Sequence, residues 1–237
     1  MANKDILNAL MDEGKTLHFE NKHAQACEAF ARAVQFAEAS WSPNATEMIR
    51  PLVFLAMAVG EREAGGHARI AEVLELEQRA LGIVRKHFGD NDPRMAFVLR
   101  KIGETHWRLD MHEDARERIE KAVNIFAKFY GDVESTVYYL QLLGDLLLDM
   151  NRPEEALPLC ERALHIEETH GKDTLRVMHA AIGVGRCLRG IGKMEDAAMQ
   201  FERALAIVIA RRPPDAKREA SICSELREWI AEARAKP

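Results

Sequence analysis

The sequence lacks most features of secreted, membrane-spanning or nucleic-acid-binding proteins. It has no run of 18 apolar residues, and its first residues enter an amphipathic pattern without an apolar signal core. Its four cysteines are scattered without paired spacing, which favours free thiols in a reducing compartment. The formal net charge of -5 provides no basic excess for binding phosphates. We therefore expect a cytoplasmic protein that binds neither a membrane nor nucleic acid.

Metal-binding spacing is also missing from the nine histidines. The closest pairs are His18/His23, His106/His112 and His165/His170, and none has the i, i+4 spacing with an acid in register that a helical zinc site needs. These histidines are therefore predicted to lie at the surface or in turns. We predict no metal and no cofactor.

Catalytic patterns are equally scarce. Gly183-Val184-Gly185 falls within a predicted helix with no strand before it, so it does not predict a phosphate loop. The acidic pair Glu167-Glu168 is predicted to be solvated surface charge, and Cys160 a packed thiol rather than a nucleophile. No nucleophile, base and orienting group can be assembled from the spacing, so the chain is predicted not to be an enzyme.

A short block near the end of a helical stretch recurs along the chain. The central alanines, Ala33, Ala80, Ala122, Ala163 and Ala204, are separated by 47, 42, 41 and 41 residues. A fixed period of this size is typical of repeat arrays, in which each unit buries its apolar face on its neighbours. The 47-residue step indicates an insertion near Ser40–Asn44.

Small residues recur in fixed phase within each unit. A glycine precedes a small residue by twelve positions in the pairs Gly14/Ala26, Gly103/Ala115, Gly144/Ala156 and Gly185/Ala197. A bulky residue follows each of these alanines by four positions, on the same helical face: Phe30, Ile119, Cys160 and Phe201. Small residues at these places allow two antiparallel helices to approach closely.

These residues resemble the tetratricopeptide repeat (TPR), whose second helix carries Ala-x3-Phe, as in Ala26-x3-Phe30 and Ala197-x3-Phe201. The long period is similar to the kinesin-light-chain subtype. The resemblance implies an all-α, right-handed α-solenoid of about five helix-turn-helix repeats, forming one domain over residues 1–237. Repeats are expected near 3–39, 45–88, 93–130, 134–170 and 174–211, with a capping helix near 215–235. The second repeat is degenerate, since Val73 replaces its alanine.

The same resemblance implies a binding groove on the concave face, lined by the first helix of each repeat. Carried over residue by residue, the groove consists of Phe97, Arg100, Lys101, Glu104 and Arg108 in the third repeat, Tyr138, Gln141 and Asp145 in the fourth, and His179, Arg186 and Arg189 in the fifth. The adjacent asparagines of kinesin light chains are absent here, so the cargo chemistry of that family is not expected.

This lining combines aromatic anchors with basic and acidic side chains, a mixture that suits a peptide. We expect a scaffold or adaptor for a protein or peptide partner of acidic and apolar character, and self-association is possible. The alternative is a signalling regulator whose solenoid senses a peptide and changes its curvature on binding.

Overall fold

The computed structural model describes residues 2–61, 66–170, 175–211 and 216–235, and it describes the side chains in these ranges except at 66–68, 211 and 216–220. Over this part of the chain, the regular structure consists of helices alone. The α-helices are α1 Ala2–Phe19, α2 His23–Ser40, α3 Ile49–Gly60, α4 Gly66–Phe88, α5 Pro93–Arg108, α6 His112–Tyr130, α7 Glu134–Asp149, α8 Pro153–His170, α9 Leu175–Ile191, α10 Met194–Arg211 and α11 Ala216–Ala235. The all-α solenoid prediction is confirmed.

The chain forms two compact units, Met1–Phe129 and Tyr130–Pro237. In the first unit, α1 packs on α2, α2 on α3, and both α3 and α4 on α5. In the second, each helix from α7 to α11 packs on the next, and α7 also contacts α9. The first helices of neighbouring repeats therefore lie side by side within the second unit. The single domain over 1–237 stays a prediction.

The turn inside four helix pairs has the same backbone conformation. Asn21, Asp110, Asn151 and Gly192 occupy equivalent positions with φ of 58°, 59°, 57° and 89°. In each case the next residue donates its N–H to a carbonyl five residues earlier, as Lys22 does to Leu17 and Arg152 does to Leu147. This closure satisfies the last carbonyls of the first helix. In all four pairs the second helix begins two residues after the residue with positive φ.

Glycines allow the paired helices to approach closely. A Cβ added at Gly14 would lie 2.4 Å from Phe30 Cε1, and one at Gly185 would lie 2.5 Å from Phe201 Cε1. Gly103 is opposite Ile119 in the same way, and Gly144 is opposite Cys160. The predicted pairing of a first-helix glycine with a bulky second-helix residue is therefore confirmed in four repeats. Val73, at the degenerate position of the second repeat, is fully buried.

The second repeat begins differently from the others. The repeat expected from about residue 45 opens with a 3₁₀ turn, Thr46–Met48, which is followed by α3. The predicted insertion is a loop between Ser40 and Thr46. Between later helices, Asp92 caps α5 by accepting a hydrogen bond from the Arg94 N–H. Gly89 and Gly131, which directly follow α4 and α6, have positive φ, as is common for a glycine that ends a helix.

The last helix covers the end of the second unit. Leu226 is buried, and the Trp229 ring packs 5.1 Å from that of Phe201, measured between centroids. Most other side chains described on α11 are exposed or half-exposed, as expected for a capping helix. None of the helices in the described ranges is both long and apolar enough to span a bilayer.

Candidate functional site

The predicted groove residues of the third repeat lie on α5 in the first unit, and three of them form a buried ionic cluster. Arg100 and Lys101 both bind the carboxylate of Glu104, Lys101 through a 2.8 Å contact. Only 11%, 17% and 8% of the Arg100, Lys101 and Glu104 side chains are exposed. Burial lowers the pKa of Lys101 below its ordinary value, although Glu104 opposes this effect. Arg100 was predicted to line the concave groove, but most of its side chain is buried within this cluster.

The other two predicted residues of α5 face different cavities. Phe97 lines a cavity of about 610 Å³ together with Phe54 and Phe88. Arg108 binds Oε1 of Glu61 at the end of α3 and borders a second cavity of about 580 Å³. Phe97 and Arg108 therefore border different cavities of the first unit.

In the second unit, the predicted residues do come together. A cavity of about 750 Å³ and a smaller one of about 190 Å³ lie along α7 and α9, and Gln141 and His179 line both. Tyr138 lines the larger cavity, and Asp145 and Arg186 line the smaller one. We name this continuous depression the α7–α9 groove, because its walls come mainly from these two helices.

The α7–α9 groove has an apolar part and two ion pairs across it. Tyr138 is 52% exposed and adjoins Val133 and Val137 in the larger cavity. Arg176 of α9 binds Glu134 of α7, and Arg186 binds Asp145 at 2.7 Å. Partial burial raises the pKa of Asp145 above its ordinary value despite the nearby guanidinium. Much of the basic charge expected here is therefore balanced by acids of the same groove.

A buried carboxyl group in the groove was not predicted. Glu167 of α8 lines the larger cavity and is only 3% exposed, so its assignment as solvated surface charge was wrong. Burial raises its pKa, while Arg176 opposes this and Glu134 adds to it. Its neighbour Glu168 is exposed and pairs with Arg203. The signal was available in the sequence, because Glu167 lies four residues after Ala163 on the face that packs inward.

We expect Glu167→Gln to flatten the pH dependence of stability. A carboxyl whose pKa is raised in the folded state stabilises most below its ordinary value of 4.5, and this contribution is lost as pH rises through the raised pKa. The free energy of unfolding, measured with urea from about pH 5 to about pH 8, should fall less in the variant than in the wild type. Glu161→Gln, at an exposed position of the same helix, is the control. Equal slopes in wild type and Glu167→Gln would contradict this prediction.

The last predicted groove residue is engaged elsewhere. Arg189 lies over the Trp229 ring, 5.2 Å from its centroid, and contacts Glu232 at 3.4 Å. Both partners belong to α11. Arg189 therefore fastens the capping helix to α9, and the groove proper ends at Arg186.

Two thiols lie beneath the smaller cavity. Cys160 and Cys187 are both buried, and their sulfurs are 3.6 Å apart. Contact with Cys187 and burial raise the pKa of the Cys160 thiol, which suppresses the reactive thiolate form. Cys160 thus has the environment of the packed thiol that was predicted.

The histidines were only partly predicted. His165 is exposed, as expected, but His106 is 1% exposed and its Nε2 lies 2.8 Å from Oε2 of the buried Glu77. The surface or turn assignment of His106 was therefore wrong, because α4 supplies an acid 29 residues away in sequence. Burial raises the pKa of Glu77. His18 and His23 flank a turn, as predicted, and both contact Glu61.

Comparison with known proteins agrees with this architecture. Residues 133–210 match the family model described as tetratricopeptide repeat. No curated protein shows significant sequence similarity to the chain.

Solved structures of similar fold have low sequence identity to the chain. A Podosopora anserina protein with nearly identical kinesin-light-chain TPR-like repeats superposes with a TM-score of 0.73 at 16% identity, over 87% of this chain and 96% of that one. BtubC (BKLC) from P. vanneervenii gives 0.68 at 18% identity, over 86% and 81% of the two chains. A signal-transduction ATPase (STAND) protein with a TPR sensor from Pyrococcus horikoshii gives 0.76 at 14% identity, over 97% of this chain and 33% of that one. The resemblance to long-repeat TPR proteins is confirmed.

Proposed function

We propose that this chain, which has the long-repeat TPR fold and carries tetratricopeptide repeats over residues 133–210, is a non-catalytic adaptor that binds a protein partner. The observation that supports this most is the α7–α9 groove, which combines an exposed aromatic ring, aliphatic side chains and charged groups along the first helices of two neighbouring repeats. Such a surface suits a peptide segment, because the aromatic ring supplies contact area and the charges supply orientation.

The groove also suggests the chemistry of the partner. Tyr138, Val133 and Val137 would accept an apolar side chain, and Arg176, Arg186 and His179 would bind a carboxylate beside it. Glu134 already pairs with Arg176, and Asp145 with Arg186. A carboxylate of the partner would therefore bind an arginine that also contacts an acid of the groove. We therefore propose a mainly apolar segment flanked by acid. A cytoplasmic location belongs to the same proposal, since Cys160 and Cys187 are free thiols.

The first test is partner capture, followed by affinity measurement. Proteins captured by the wild type are identified, and a peptide from the captured partner is titrated by calorimetry. Tyr138→Ala and Arg176→Ala should each weaken binding at least about tenfold, or 1.4 kcal/mol. Both side chains are largely exposed, so their removal should not affect folding. Binding should also weaken with added salt, because exposed charges are screened over about 8–10 Å.

Met199→Ala is the matched control, since Met199 is 61% exposed on α10 and does not line the groove. Its affinity should equal that of the wild type. If Tyr138→Ala and Arg176→Ala bind as tightly as Met199→Ala, the α7–α9 groove is not the site.

A second candidate function is peptide sensing with a change of curvature. It is favoured by the similarity of fold to the TPR sensor of the STAND protein. The two functions differ in one measurement. With bound peptide, the radius of gyration from small-angle X-ray scattering should change for a sensor and stay constant for a static adaptor.

A further inference from the structure

Three potential metal ligands meet at one end of the first helix pair. His18 lies in the last turn of α1, His23 begins α2, and Glu61 follows the last residue of α3. The turn containing Asn21, with φ of 58°, folds the chain back so that the two imidazole rings have centroids 5.9 Å apart. The third ligand comes from 38 residues beyond His23, so the cluster depends on packing of the second repeat on the first.

The three donor atoms lie close together. His18 Nδ1 lies 2.9 Å and His23 Nδ1 3.2 Å from the same oxygen, Oε2 of Glu61, and all three atoms lie within 4.8 Å of one another. Both separations are contact distances between an imidazole nitrogen and a carboxylate oxygen. Each of the three atoms is buried and lacks a hydrogen-bond partner within the described part of the chain. Buried polar atoms without partners are uncommon, and an ion is one of the groups that satisfies them.

In place of the sequence-based prediction of no metal, which considered spacing within single helices, we propose that His18, His23 and Glu61 bind a divalent transition metal ion of the zinc class. Two donors that are each about 2.1 Å from one ion lie about 3.0–3.4 Å apart for angles between 90° and 109°. The observed 2.9 and 3.2 Å nearly match this range. Two imidazole nitrogens with one carboxylate oxygen are a donor set that favours zinc and its neighbours over calcium and magnesium, which prefer oxygen ligands alone.

The surroundings support a site with an open coordination position. Arg108 holds the other carboxylate oxygen, Oε1, so that Oε2 points to the imidazoles. The three ligands also border the cavity of about 580 Å³, which Phe19 and Asn21 line. Because three protein ligands leave at least one position of a tetrahedral ion unfilled, water or a partner's side chain can complete it from this cavity. This site lies in the first unit and is separate from the proposed peptide groove.

The experiment uses the full chain, purified without a histidine tag, stripped with a chelator and titrated with zinc by calorimetry. A Cys223→Ser background removes the one cysteine that is not buried. We expect one zinc per chain, a rise in melting temperature with zinc, and no binding of calcium or magnesium. Cobalt in place of zinc should give the visible absorption of a four- or five-coordinate ion.

His18→Ala, His23→Ala and Glu61→Gln should each weaken zinc binding at least about tenfold, whereas the exposed His165→Ala should bind as the background does. Circular dichroism identifies any ligand variant that fails to fold. In that case His23→Gln is used instead, because His23 is the first residue of α2 and its replacement should disturb packing least. A folded wild type without one-to-one zinc overturns the proposal. Zinc bound equally by the folded ligand variants and by His165→Ala also overturns it.

Discussion

Glu104→Gln should lower the free energy of unfolding by about 3–5 kcal/mol, the usual cost of removing one partner from a buried ion pair. Glu104 is the carboxylate that Arg100 and Lys101 share, and all three side chains are more than four-fifths buried. An amide cannot balance two buried cations. The lowered pKa of Lys101 already indicates that its charged form is held at a cost. The measurement is urea unfolding followed by circular dichroism at neutral pH.

Two further variants distinguish lost charge balance from lost packing. Glu117→Gln, at an exposed position of α6, should change stability by less than about 0.5 kcal/mol. Replacing all three charges, as Arg100→Met, Lys101→Met and Glu104→Leu, should recover most of the loss, because well-packed apolar groups often substitute for buried ions without cost. A Glu104→Gln variant as stable as Glu117→Gln would mean that the cluster is solvated.

Gly185→Ala and Gly183→Ala should have opposite effects on stability, although they lie two residues apart in α9. At position 185 the new methyl group would meet the ring of Phe201 at 2.5 Å, and Phe201 is fully buried against Trp229. Overpacking of this kind costs about 1–3 kcal/mol or more. At position 183 the nearest atom is Cys160 Sγ at 3.5 Å, an ordinary contact. There the variant should gain about 0.5–1 kcal/mol from the higher helix propensity of alanine.

A double variant tests whether the clash is the cause. Phe201→Leu should destabilise the wild type but should be much less damaging in the Gly185→Ala background, because the smaller side chain leaves room for the methyl group. The interaction free energy from this cycle should exceed about 0.5 kcal/mol. Thermal unfolding of the four chains gives the result. Additive effects, or equal effects of Gly185→Ala and Gly183→Ala, would contradict the close packing of Gly185 against Phe201.

Much of the fold could be predicted from the sequence because the interactions that define it are local and repeated. The distance from Gly185 to Ala197 and Phe201 is set by one helix, one turn and part of a second helix. The same arrangement occurs 41 residues earlier, at Gly144, Ala156 and Cys160. The prediction was less accurate in the second repeat, where the insertion after Ser40 interrupts this spacing and a 3₁₀ turn precedes α3.

The sequence by itself determined the helix pairs, since residue size at fixed positions decides which faces can approach. Only the tertiary structure decided which charged groups meet. Glu61 reaches His18 and His23, and Arg186 reaches Asp145, 41 residues away, only after neighbouring repeats have packed. Likewise Glu167, next to an exposed Glu168, is buried by where α7 and α9 lie. Small and bulky side chains recur at regular intervals along the chain, so the sequence shows which helix faces pack together. Charge pairing depends instead on distances between helices, and these cannot be read from the spacing of residues within one helix.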